Sequence, residues 1–172
     1  FLNGSQAQEE SLARSSGLYN CLLTCPEYYT THRSMRSCIY TDTMIYAPSV
    51  PIFKYENGEL MDVPILASIL TSPAVNAGVV RRQERKKVSE IIPAMHARID
   101  KTLALFAEKG AEILVLGAWG CGVFQNEPTE IARLFKEIID QKYLGVFKYI
   151  EFAIYSKNSD KFIKPFEDAF LL

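Results

Sequence analysis

One stretch constrains this chain more than any other. Residues 113–135 read ILVLGAWGCGVFQNEPTEIARLF: an apolar run, a connection holding Gly117, Gly120 and Gly122, then a helical pattern. The run 113–116 has the length and composition of a buried strand. Asn126 reads as the N-cap of a helix over 127–142, with Pro128 in its first turn. Glycines between a strand and a helix let the backbone take positive φ and let a ligand approach without meeting a Cβ. Successive N–H groups in such a turn form an anion nest, and the helix dipole behind it adds favourable charge. Ligands in open α/β sheets gather at the carboxyl ends of strands, where residues 117–126 fall. The expectation is a cradle for the phosphates of a nucleotide-like ligand. A glycine turn kept only for close packing is the competing reading. There is no Gly-Lys-Ser/Thr, which excludes a Walker A loop, and the spacing is not GxGxxG.

The rest of the chain supplies a frame for this unit. Residues 6–23 read as a helix, with Ser5 as N-cap and Gln8 completing a capping box. Residues 24–41 read as a short helix or loop. Strands are expected at 43–46, 52–55 and 65–71, the last of them buried, and a long helix at 80–109 that ends at Gly110 and kinks at Pro93. A strand at 149–155 and a helix at 159–171, bent at Pro165, close the chain. The second half thus alternates strands and helices, which points to an α/β fold with helices on both sides of a sheet. A length of 172 residues suits one domain.

Charge and composition exclude several function classes. The formal net charge is −1, so nothing drives the whole molecule towards nucleic acid or a membrane. No apolar run approaches a membrane span. Cys21, Cys25, Cys38, Cys121, His32 and His96 follow no zinc spacing, so no metal and no cofactor are expected. The thiols read as reduced, which suits the cytoplasm. Cys121 lies in the glycine loop without a visible base and reads as a small loop residue rather than a nucleophile. Phe124 either presents its ring to a ribose or base or belongs to the core; Trp119 reads as packing. Tyr28 and Tyr29 read as packing residues before a base pocket. The run Arg81-Arg82-Gln83-Glu84-Arg85-Lys86-Lys87 reads first as a solvated helix face, with contact to a polyanionic polymer or a (nuclear) localisation signal as alternatives.

A second constellation stands at the other end of the chain. Gln8-Glu9-Glu10 opens the first helix. Adjacent helical residues point about 100° apart, so Glu9 and Glu10 cannot both face one small site squarely. Both can lie near a ligand held over the first turn, and Asn3, Gly4 and Ser5 leave room for one. Complementing the helix dipole is the competing role.

Taken together, FLNGSQAQEESLARSSGLY and LGAWGCGVFQN resemble the motifs of the microbial-type poly(ADP-ribose) glycohydrolases, a branch of the macrodomains. Residues 71–76 fall where that family has a loop ending in Asn, here Asn76, and Met95, Arg98 and Ile99 match a helix pattern. The resemblance covers nearly the whole chain. It implies a macrodomain-like three-layer α/β/α fold with a mixed sheet, and hydrolysis of the O-glycosidic bonds of poly(ADP-ribose). Glu10 would be the general acid and then the base, with Glu9 on ribose hydroxyls and Gln8 beside them. Asn76, Gly120, Cys121, Gly122, Val123 and Phe124 would bind substrate, the loop N–H groups on the diphosphate and Phe124 on the distal ribose. The implied partner is ADP-ribose or its polymer, free or on modified proteins, with no membrane and no direct nucleic-acid contact. The family's glycine triplet and first strands are not among these residues. The expectation is therefore an N-terminally incomplete catalytic domain: either a separate upstream fragment completes the fold, or the chain is a piece of a longer protein. Rival readings are a non-catalytic ADP-ribose reader, a hydrolase of mono-ADP-ribosylated targets and, more remotely, a phosphatase of ADP-ribose phosphates.

Overall fold

The computed structural model describes residues 8–55, 57–156 and 159–171. Asn3, Gly4 and the Ser5 cap lie outside the described residues. The chain divides into two compact units, the first ending at Met35 and resuming over Thr41–Pro73, the second comprising Arg36–Tyr40 and the chain from Ala74 onward.

In the first unit, α1 (Gln8–Ser15), α2 (Leu18–Leu23) and α3 (Pro26–Ser34) precede a hairpin of β1 (Ile45–Lys54) and β2 (Leu60–Thr71). The helix expected over 6–23 is two helices. The Ser16 hydroxyl donates to the Leu12 carbonyl at 2.6 Å and accepts from the Leu18 N–H at 3.2 Å, closing one helix and opening the next. Gly17 then donates its N–H to the Pro51 carbonyl at 2.9 Å. A Cβ there would press on the Pro51 ring at 3.2 Å, so glycine sets how closely the helical corner meets β1. Leu18, Leu22, Tyr28, Ile45, Ala47 and Val50 form the core of this unit.

The strands expected at 43–46 and 52–55 are one strand. Ala47 pairs with Ile69 and Val50 with Ala67, so β1 carries an extra residue between these pairs. That bulge holds Pro48, with Ser49 at φ +51°. β2 is longer than the 65–71 expected and is not buried there: Ile65 and Leu66 are 59% and 67% exposed.

The second unit contains α4 (Ala77–Gln83), a 3-10 turn (Arg85–Glu90), α5 (Ile91–Glu108), β3 (Ile113–Leu116), α6 (Pro128–Lys142), β4 (Tyr149–Phe152) and α7 (Lys164–Phe170). The helix expected over 80–109 is three pieces, broken at Glu84, whose ψ of 47° leaves the helical region. Pro93 sits in the first turn of α5, where its missing N–H costs nothing, so no kink is needed. α5 ends just before Gly110, as expected, and Gly110 takes the left-handed φ of +70° that suits a helix terminator. Pro165 likewise starts α7 rather than bending it. β3 and β4 pair in parallel, Ile113 opposite Tyr149 through Leu116 opposite Phe152. Of β3 only Leu114 is buried; Ile113 and Val115 are 65% and 69% exposed. The core runs from α4 and α5 (Val80, Met95, Ile99, Leu103) to α6 (Ile131, Leu134, Phe135, Ile138).

The α/β class is as expected, with one antiparallel and one parallel strand pair among the described residues. No described helix is long and apolar enough to cross a membrane.

Candidate functional site

The glycine loop of the second unit is built by its own backbone. Trp119 N–H donates to Gly117 O, Cys121 N–H to Ala118 O and Gln125 N–H to Gly122 O, at 2.8, 3.0 and 3.0 Å. Asn126 closes it. Its N–H donates to the Gly120 carbonyl at 3.0 Å, and its Nδ2 donates to the same carbonyl at 3.0 Å and to Val75 O at 2.8 Å. This corrects the cap expectation. Glu127 is the N-cap of α6 and makes no side-chain cap bond, while Asn126, only 2% exposed, is the clasp of the loop.

The two central glycines differ. Gly120 has φ +72°, and a Cβ there would lie 2.6 Å from the Ala74 Cβ, so the fold itself demands glycine. At Gly122 a Cβ would meet nothing within 4 Å. Among the described residues, the N–H groups of Gly120, Gly122, Val123 and Phe124 donate to no protein acceptor. The Cys121 N–H, expected among the ligand donors, is engaged with Ala118. Val123 is 90% exposed at the tip of the loop. Phe124 and Trp119 pack against the core, and the Tyr40 ring lies 6.2 Å from the Phe124 ring.

A polar frame holds the far side of the loop. Asn76 Oδ1 accepts from the Val79 N–H at 3.2 Å and so caps α4. Gly78 N–H donates to the Phe124 carbonyl at 2.9 Å, and Arg81 Nη1 donates to the Gln125 carbonyl at 2.7 Å. Gln125 needs these anchors because it sits at φ +56°, a strained value for a residue with a Cβ. Residues 36–40 form a clip on the same unit. Glu84 accepts from Ser37 Oγ and Cys38 N–H, both at 2.7 Å, and Arg98, 2% exposed, donates to the Ile39 carbonyl at 3.0 Å. The backbone and hydroxyl donors hold the Glu84 carboxyl below its usual range. Burial pushes the Tyr40 phenol up, with Cys38 adding to the effect.

The acidic pair belongs to the first unit. Gln8, Glu9 and Glu10 form the first turn of α1. Glu10 is 8% exposed, burial that is unusual for a carboxylate. Glu9 Oε1 accepts from the Tyr29 hydroxyl at 2.5 Å. Burial, and then that hydrogen bond to Glu9, push the Tyr29 phenol far up, so it remains a donor across any ordinary pH. The residues that spacing missed are therefore partners rather than principals: Tyr29, Arg81, Gln125 and the clip. Tyr28-Tyr29 and the basic run that contains Arg81 are the signals the sequence carries for them.

Chemically, the loop offers neutral donors and open space, which suits an anion. The first turn of α1 offers a buried carboxyl beside a clamped one, which suits proton transfer next to hydroxyl recognition. Cys121 is no nucleophile: burial pushes its thiol up to about 12. No cluster of metal-ligating side chains occurs among the described residues.

Comparison with known proteins bears on both constellations. Residues 1–55 match the family model of the microbial-type PARG, catalytic domain. No curated protein sequence matches. Solved structures match over almost the full chain. Poly(ADP-ribose) glycohydrolase from Deinococcus radiodurans, in complex with ADP-ribose, is 38% identical with a TM-score of 0.93; the match covers 99% of this chain and 69% of that one. A threonine-to-lysine variant of the same enzyme, also with ADP-ribose, is 37% identical with a TM-score of 0.93, covering 97% and 68%. The glycohydrolase from Thermomonospora curvata is 38% identical with a TM-score of 0.90, covering 98% and 62%. Identity at this level, sustained over the chain and over two thirds of a relative, goes with the motifs and the fold: this chain belongs to the poly(ADP-ribose) glycohydrolase family.

Proposed function

We propose that the chain hydrolyses the ribose–ribose O-glycosidic bond of poly(ADP-ribose). The observation that carries this reading is the likeness, across 97–99% of the chain, to glycohydrolases that hold ADP-ribose. The open loop donors and the buried Glu10 support it. Glu10 protonates the leaving ribose oxygen as the C–O bond breaks, and the departing sugar passes through an oxocarbenium-like state. The resulting Glu10 carboxylate then takes a proton from a water whose oxygen bonds to the anomeric carbon, which restores the acid. One carboxyl thus does the work that most glycosidases divide between two.

Glu9 binds ribose hydroxyls, held in its rotamer by Tyr29, and Gln8 borders them. Gly120, Gly122, Val123 and Phe124 supply N–H donors to the diphosphate, and the Phe124 ring positions a ribose. Cys121 supports the turn. Asn76 acts by seating α4, whose Gly78 holds the Phe124 carbonyl.

Glu10→Gln keeps the shape of the side chain and removes the proton. The expected result is retained ADP-ribose binding with turnover lowered about 10²–10⁴-fold, measured by chromatography of released ADP-ribose. Undiminished turnover would sink the assignment. Binding without release from the unaltered chain would instead make it a reader, and release only from mono-modified protein would change the substrate.

A further inference from the structure

The basic run at the end of α4 invites a bland reading as a solvated helix face. Such a face carries acids one turn away, as α6 of the same unit does: Arg133 bonds Glu130 and Glu137, and Lys136 pairs with Asp140. The run from Arg81 to Lys87 has Glu84 and Glu90 within a turn of it, yet only Lys87 forms an ion pair among the described residues. Its internal acid, Glu84, accepts from Ser37 and Cys38 and pairs with Lys87 at 3.2 Å, which neutralises Lys87 alone. Arg85 and Lys86 are exposed and form no ion pair among the described residues. The helix dipole accounts for Arg81 and Arg82, which lie in the last turn of α4. It does not account for Arg85 and Lys86, which lie beyond that helix.

The position of the run is equally specific. Arg81 donates to the Gln125 carbonyl at 2.7 Å and Arg82 to Gln125 Oε1 at 3.3 Å. Gln125 directly follows Phe124, the last of the loop residues whose N–H is open. A Cβ at Gly78 would run into the Gln125 side chain, so α4 is fitted closely against this end of the loop. In a chain of net charge −1, uncompensated cations have been placed where the anion cradle ends.

A ligand with a single diphosphate satisfies the loop and has no use for charge beyond it. A ligand that continues past the loop, with another diphosphate in each repeat, does. We infer that Arg82, Arg85 and Lys86 form an electrostatic subsite for the phosphates of the next unit of the polymer, contiguous with the diphosphate loop. This deepens the function proposed above and rests on it. A nucleic acid would also be drawn to cations, but the bonding of the run to the ligand loop favours the polymer seated there.

The test is the Arg85→Gln/Lys86→Gln double variant; neither side chain bonds to anything described, so the fold is left alone. Both forms are measured in the Glu10→Gln background against long poly(ADP-ribose) and against ADP-ribose monomer, over a range of salt. The expected result is polymer affinity about 5–10-fold weaker at low salt, with a shallower salt dependence, because each phosphate contact adds to the slope. Monomer affinity changes less than about twofold, since its single diphosphate is held by the loop N–H groups and the exposed Arg85 and Lys86 are screened by salt. Equal polymer affinity and equal slope in the two forms would overturn the subsite. So would displacement of polymer by single-stranded DNA at equal phosphate concentration, which would make the patch a nucleic-acid surface. Failure of the unaltered chain to bind ADP-ribose monomer would overturn the proposed function itself, and the subsite with it.

Discussion

Tyr29 stands twenty residues from Glu9 and fixes it with one short hydrogen bond. A hydrogen bond to a charged group contributes about 1.5–3 kcal/mol, enough to decide which rotamer of Glu9 a ligand meets. Tyr29→Phe keeps the ring and its edge contact with Tyr28 and removes only the donor. It should weaken ADP-ribose binding about tenfold by calorimetry while leaving the near-UV circular dichroism in place. Unchanged affinity would show that Glu9 needs no clamp. The residues proposed as principals of the site can be picked out of the sequence because each constellation is contiguous: Gln8-Glu9-Glu10 and the glycine loop. Their supports cannot. Tyr29 to Glu9, Arg81 to Gln125 and Glu84 to Cys38 are contacts across tens of residues, and no local periodicity records them. Asn126 shows the opposite failure. Its type and place fitted an N-cap, but a buried amide can satisfy two carbonyls, and here that use prevails.

Glycines two positions apart in one loop have different tasks, and element-scale energetics separates them. Gly120→Ala forces a Cβ against Ala74 at a left-handed φ, and the strain and overlap should cost about 2–4 kcal/mol in a urea melt. At Gly122 an added Cβ meets no protein atom within 4 Å, so the melt of Gly122→Glu should match the parent within about 0.5 kcal/mol. Its carboxylate would instead enter the proposed diphosphate path and should reduce ADP-ribose affinity at least about a hundredfold. A folded Gly120→Ala of parental stability, or a Gly122→Glu that binds normally, would reverse the division. The elements follow from the sequence pattern, whereas their joints depend on contacts that the pattern does not record. The strands expected at 43–46 and 52–55 join into β1 because the bulge at Pro48 and the edge position of the strand accommodate Pro48 and Pro51 between them. One helix over 80–109 became three pieces because the Glu84 carboxylate turns back to the clip, which pattern alone does not reveal. The apolar β3 looked wholly buried, since composition does not say how many faces of a strand are covered.

At the scale of the molecule, each unit buries its own cluster, and the second can be followed by itself. Trp119, the sole tryptophan, packs against that cluster. Phe135, 1% exposed, lies in its centre, edge-on to Phe152 at 5.4 Å. Phe135→Ala should lower the stability reported by Trp119 emission by about 3–5 kcal/mol. A smaller shift would mean that the core refills the cavity. The α/β class was legible at this scale because alternation of strand and helix survives errors in their boundaries. The assignment of residues 36–40 was not legible, because five residues carry no pattern of their own. That clip has a consequence for how the chain is made. Synthesis delivers it 46 residues before Glu84 and 59 before Arg98, the groups that hold it. The nascent chain must therefore keep a short segment waiting while its receptor is still being translated, and a gene fragment starting at Ala74 would encode the receptor without the piece it was shaped to hold.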